Sequence, residues 1–213
     1  ELKKLSQIPS DDDIEEKNYD ITDVVFVMHG IRDLGYWTHK VARRIVKRSQ
    51  LLKRKQKIIA TETSSYGYFP MLSFLNPFKR MEKVAWLMDQ YAEALAKFPN
   101  AKFSYVGHSN GTYLLAKAFE DYPLCKFKHV VFAGSVVRKD YDWNTIYNNG
   151  QVEKVLNFVA SRDWVVFLFP NSIQKLQWQD LGSAGHDGFD GHSNSAIQEI
   201  KYIHGSHSAA LQE

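Results

Sequence analysis

Five consecutive apolar residues, Val24-Val25-Phe26-Val27-Met28, form the first strong pattern in the chain. An unbroken run of that length predicts a strand buried on both faces, over 23–28. The period then changes. Val41, Ala42, Ile45 and Val46 share one helical face, predicting a helix over 39–52 with Thr38 as its N-cap. Residues 57–63 read as the next strand. Val84, Leu87, Met88, Tyr91 and Leu95 predict a helix over 80–98, closed by Pro99-Asn100. A short strand follows over 101–106. Leu114, Leu115, Ala118 and Phe119 then mark a helix that Tyr122-Pro123 stops. Further strands are expected over 129–133, ended by Gly134, over 155–160, and over 197–203. Strands alternating with helices predict βαβ units and a parallel sheet. No internal repeat or low-complexity tract interrupts the pattern.

The turn between the 101–106 strand and the helix after it carries the candidate chemistry. It reads Gly107-His108-Ser109-Asn110-Gly111, a G-x-S-x-G pentapeptide. A serine at a sharp strand-to-helix turn is held in a tight backbone conformation that projects its Oγ. The two glycines are expected there because side chains would collide with the neighbouring strand and helix. The first buried strand also ends on a notable pair, His29-Gly30.

With these two motifs the chain resembles the α/β-hydrolase superfamily, in its lipase/esterase-like branch, over about Val24 to Leu211. The resemblance implies an α/β-hydrolase fold: a mainly parallel sheet of about six strands flanked by helices. The sheet is reduced at the N-terminus, because the acidic opening leaves no room for the extra antiparallel strands the family often has. It implies Ser109 as nucleophile, with the N–H groups of Ile31 and Asn110 as oxyanion hole. A serine hydroxyl needs a base within hydrogen-bond reach, held by a carboxylate. The family's chain order of serine, acid and histidine implies Asp163 as acid, just past the 155–160 strand. Asp140 and Asp142, after the preceding strand, are its rivals, and a helix N-cap is the alternative role for Asp163. The base implied is His207, in the loop after the last strand, with His204, His186 and His192 as alternatives. His29 is expected to brace the oxyanion loop by hydrogen bonding, and His108 to pack beside the serine. One departure stands out: only Ser208 to Glu213 follow His207, where the family carries a long final helix.

Composition narrows the picture further. At 213 residues and 44% hydrophobic, the chain can bury one good core. It is read as an acidic arm or linker over 1–20, with Asp11-Asp12-Asp13 and Glu15-Glu16, and a single domain over 21–213. A net charge of +3 does not argue for a nucleic-acid partner. One cysteine, Cys125, excludes an internal disulfide framework and suits a reducing, cytoplasmic compartment. No run reaches the roughly 18 apolar residues that span a membrane. A chain opening on Glu1 is read as trimmed or processed, with any targeting segment outside it.

Three other stretches bear on substrate and partners. Residues 66–78, dense in apolar and aromatic side chains, follow the second strand and are expected to form a lid or acyl-binding wall, or to pack over the core. Tyr66, Phe69, Phe74 and Trp164 are the expected substrate-binding residues. Lys40, Arg43, Arg44, Lys47, Arg48, Lys53, Arg54, Lys55 and Lys57 form a basic stretch without an acid. It reads mainly as a solvated helix face, with peripheral contact to an anionic membrane or a polyanion as the alternative. His186-Asp187-Gly188-Phe189-Asp190-Gly191-His192 has ligand-type side chains but no metal-site spacing, and reads as a surface loop at the pocket rim. The expected function is hydrolysis of a small-molecule or lipid-like acyl ester, without metal or organic cofactor. Thioester or amide hydrolysis, or a non-catalytic scaffold of the same fold, are the alternatives.

Overall fold

The computed structural model describes residues 17–31, 36–51, 59–63, 70, 73–74, 76–160, 182, 184, 187–190 and 196–202. Within them, six strands form one all-parallel sheet, flanked by helices, so the fold class is α/β. In chain order the elements are β1 (Asp23–Met28), α1 (Tyr36–Leu51), β2 (Ile59–Glu62), α2 (Pro77–Lys97), β3 (Lys102–His108), α3 (Asn110–Asp121), β4 (Phe127–Ala133), α4 (Trp143–Asn148), β5 (Val152–Ala160) and β6 (Ile197–Tyr202). The sheet order is β2-β1-β3-β4-β5-β6. The chain first moves outward from β1 to β2, then crosses back to β3 and continues the other way. Right-handed crossovers therefore put α1 on one face of the sheet and α2 and α3 on the other. The reversal leaves a crevice at the carboxyl ends of β1 and β3, the place where open α/β sheets bind ligands.

The core explains the runs read from the sequence. Val24, Phe26 and Met28 alternate onto the face covered by α2 and α3. There Phe26 meets Phe127 edge-on, with ring centroids 5.4 Å apart, and Tyr91 meets Phe103 at the same distance. Val27, between them, is buried outside that cluster. Both faces of β1 are thus covered, which is why its sequence does not alternate. Gln151 is a buried polar latch: its Nε2 donates to the Phe119 carbonyl at 2.9 Å, closing the end of α3. Among the described residues no helix is long and apolar enough to cross a membrane.

Several element boundaries differ from the expectation. Thr38 is not an N-cap: α1 already begins at Tyr36, and Thr38 is buried within its first turn. The Trp37 ring packs edge-on against His108 at 5.8 Å, and with Thr38 buried the first turn of α1 is part of the tertiary packing, where cap preference is only a weak prior. Helix α2 starts at Pro77, not 80. Asn76 caps it, accepting from Phe78 N at 3.0 Å and Lys79 N at 3.4 Å, and Pro77 supplies a first-turn φ. Helix α4 was not expected at all, since six residues are too few to display a period. Strands β4 and β5 begin earlier than the apolar runs, because ladder bonds extend over flanking polar residues.

Candidate active site

The register between β1 and β3 pairs Met28 with Gly107. Two residues beyond that pair on each strand, Gly30 and Ser109 face each other. A Cβ placed on Gly30 would lie 2.7 Å from Ser109 Cβ and 3.2 Å from its Oγ. The His29-Gly30 turn therefore lies directly over the serine, and only glycine permits that approach. His29 is buried, and its Nδ1–H donates to the Gly30 carbonyl at 2.8 Å, bracing the turn.

Ser109 itself adopts φ 52 and ψ −119. Among the described residues it is the one non-glycine with positive φ. Such a backbone costs about 1–3 kcal/mol and persists only where surrounding contacts impose it. Those contacts are visible. Ser109 N donates to Ala133 O at the end of β4, at 3.1 Å. Thr112 donates to Ser109 O twice, from N at 2.9 Å and from Oγ1 at 2.7 Å. Thr112 Oγ1 in turn accepts from Val136 N at 3.1 Å. Tyr105 Oη donates to Gly111 O at 2.6 Å. Neither Thr112 nor Tyr105 was singled out from sequence; a threonine in the first turn after the serine was the available signal.

Both elbow glycines are sterically required. A Cβ on Gly107 would meet Tyr105 Cε1 at 2.7 Å, and one on Gly111 would meet Met28 O at 2.8 Å. The second obstacle is backbone and has little room to give. Gly111→Ala should therefore destabilise the fold by roughly 1–3 kcal/mol through overpacking. A urea midpoint equal to that of the parent would contradict this close contact.

The serine sits at the N-cap position of α3, yet its side chain makes no cap bond to the helix. Asn110 opens α3, where helix N–H groups point out of the helix end and favour negative charge. Ile31 is half-buried against the core, one residue past Gly30. The arrangement thus gathers a serine on a strained backbone, a helix N-terminus and a glycine turn in the sheet crevice. In open α/β sheets such a strand-to-helix turn at the switch point is a common place for a reactive side chain, and a serine hydroxyl there still needs a base within hydrogen-bond reach. Ser109 is 4% exposed.

The remaining expected residues divide in two. Asp163, His207, Tyr66, Phe69 and Trp164 lie outside the described residues, as do His204, His186 and His192. Phe74 is described: it is 1% exposed in the core, its carbonyl accepts from Arg80 Nη1 at 2.8 Å, and its ring lies 5.8 Å from that guanidinium. Tyr113 stacks on the same guanidinium at 5.2 Å. Phe74 is thus packed against α2 and α3.

The two rival acids are engaged elsewhere. Asp140 pairs with Arg138, whose hydrogen bonds hold its carboxyl below the usual range. Asp142 caps α4, accepting from Thr145 Oγ1 at 2.6 Å and Thr145 N at 3.1 Å, and the hydroxyl bond chiefly lowers its pKa. A lowered folded pKa means that the cap stabilises above the ordinary carboxylate range and is lost as pH falls through the folded value. Asp142→Ala should lower Tm by a few degrees near neutral pH, with the gap to the parent closing in acid. An equally large gap at both pH values would refute the charged cap.

Cys125 is no rival nucleophile. Burial pushes its thiol up to about 12, far from the reactive thiolate range. In the 186–192 loop, Phe189 is buried against Trp143, its N–H donates to Glu199 Oε1 at 2.8 Å, and Asp190 pairs with Lys139 at 3.2 Å. Among the described residues no cluster of histidine, cysteine or carboxylate side chains could hold a metal ion. No known protein-family model and no curated protein matches the chain.

Proposed function

We propose that the chain is a serine hydrolase of the α/β-hydrolase type, cleaving an acyl ester through an acyl-enzyme. The observation that carries this reading is the Ser109 backbone, at φ 52 and ψ −119 between β3 and α3, beneath Gly30. A fold has no structural need to keep a serine in that conformation when glycine adopts it without strain. Ser109 Oγ attacks the ester carbonyl while His207 takes its proton, and Asp163 orients His207. The tetrahedral oxyanion accepts from Ile31 and Asn110 N–H groups, each worth about 3 kcal/mol in comparable sites. The proton passes to the leaving alcohol as the C–O bond breaks, and water then releases the acid from Ser109.

Chain reach supports this assignment. All six strands are parallel, so β3, β5 and β6 end on the same edge of the sheet. From β6 to β3 is three strand spacings, about 14 Å. The five residues from Tyr202 to His207 can extend to about 17 Å. The substrate class we assign is a small or lipid-like acyl ester, with Tyr66, Phe69 and Trp164 as candidate wall residues; thioesters and amides suit the same machinery. A non-catalytic scaffold is the second reading, and the 4% exposure of Ser109 favours it. Fluorophosphonate labelling, with the adduct mapped by mass spectrometry, separates the two. A Ser109 adduct and turnover on esters of increasing acyl length support the hydrolase; a folded chain that resists labelling and hydrolyses none of the esters supports the scaffold.

A further inference from the structure

A groove of about 740 Å³ runs between α1 and β2, away from the serine crevice. Its volume falls within the range of small-molecule sites, roughly 300–1,000 Å³. His39, Arg43 and Lys47 line one wall at successive i, i+4 positions, and Thr61 and Thr63 line the other. Tyr36, 76% exposed, stands at one end. The walls are tied together by a 3.1 Å hydrogen bond between Thr63 Oγ1 and His39 Nδ1. Arg43 Nε donates to the His39 carbonyl at 3.2 Å, which steadies the guanidinium stem. Among the described residues, no acid lines the groove and neither Arg43 nor Lys47 pairs with a carboxylate.

Helix α1 carries Lys40, Arg43, Arg44, Lys47 and Arg48 without one acid. Like charges four residues apart, as in Arg43 and Lys47, disfavour a helix. A bound anion relieves that repulsion. Guanidinium, ammonium and hydroxyl groups converging from two elements suit a phosphate, which accepts charge-assisted bonds from all three.

We propose that the α1–β2 groove binds a phosphate group, carried either by a soluble phosphorylated molecule or by a phospholipid headgroup. The site is independent of the hydrolase reading. Strand β2 lies two strand positions from β3, about 10 Å by strand spacing, and Thr63 follows its carboxyl end.

The test uses the full chain, two phosphate probes and a single-stranded RNA for comparison. Inorganic pyrophosphate is titrated by calorimetry, and phosphatidylcholine vesicles with and without phosphatidic acid are used in co-sedimentation. Arg43→Glu with Lys47→Glu removes the groove cations. Lys40→Glu with Arg48→Glu makes the same charge change on exposed residues of α1 outside the groove. The first pair should weaken binding at least about tenfold and the second by less than about threefold. Arg43→Gln with Lys47→Gln gives the same ranking if charge reversal impairs folding. Pyrophosphate binding identifies a soluble phosphate ligand, and binding to phosphatidic acid vesicles alone identifies a headgroup. Equal weakening by both pairs overturns the site in favour of diffuse attraction, as does binding of neither probe. Tighter binding of a single-stranded RNA, equally sensitive to both pairs, overturns it in favour of a nucleic-acid surface.

Discussion

Ser109→Ala is expected to abolish fluorophosphonate labelling and to lower ester turnover by up to about 10⁶-fold, as loss of the nucleophile does in other serine hydrolases. The fold should survive, because the bonds that impose the elbow come from the Ser109 backbone, from Thr112 and from Tyr105 rather than from the serine hydroxyl. Ser109→Gly gives a sharper reading. Glycine enters positive φ without steric cost, so the strain is relieved while the unfolded chain gains some freedom. The net effect should be a stability gain of about 1 kcal/mol together with the same loss of labelling. A more stable, inactive glycine variant would mean that the strain is kept for chemistry. Persistent labelling at another serine would overturn the nucleophile, and unchanged stability in the glycine variant would mean that the elbow stores little strain.

Replacing the proposed base is the second large effect. His207→Ala should cost nearly as much as loss of the serine, because residues acting as one unit are not additive. Asp163→Asn should cost about 10⁴-fold where the acid alone holds the imidazole tautomer. The double variant Ser109→Ala with His207→Ala should be little worse than either single change. If His207→Ala retained near-normal turnover while His204→Ala lost it, the base would be reassigned to His204. Retained activity in Asp163→Asn would return the search to other carboxylates. Asp142 and Asp140 would be weak choices, since a helix cap and an arginine already occupy them.

Much of the fold was legible because its signals are local. The unbroken run at 24–28 reads as a doubly covered strand, and the glycines around Ser109 read as a tight turn; the sheet and its contacts agree. The Asn76-Pro77 start of α2 was equally local and was missed by following apolar period alone. Phe74 illustrates the opposite case. Its neighbourhood suggested a substrate wall, but whether an aromatic ring meets ligand or core depends on what arrives from elsewhere. Here Arg80 and Tyr113 arrive, and the ring is packed between helices.

By itself the sequence determined the parallel α/β alternation and the presence of a serine at a strand-to-helix elbow. Periodicity, glycine and proline act over a few residues, so those features need no distant partner. Only the tertiary structure decided that Gly30 covers Ser109, that Trp37 packs against His108, and that Arg43 and Lys47 share a groove with Thr61 and Thr63. Each of these joins segments far apart in the chain. Their approach is set by strand register, crossover handedness and the volume of the side chains between them, which no local pattern encodes.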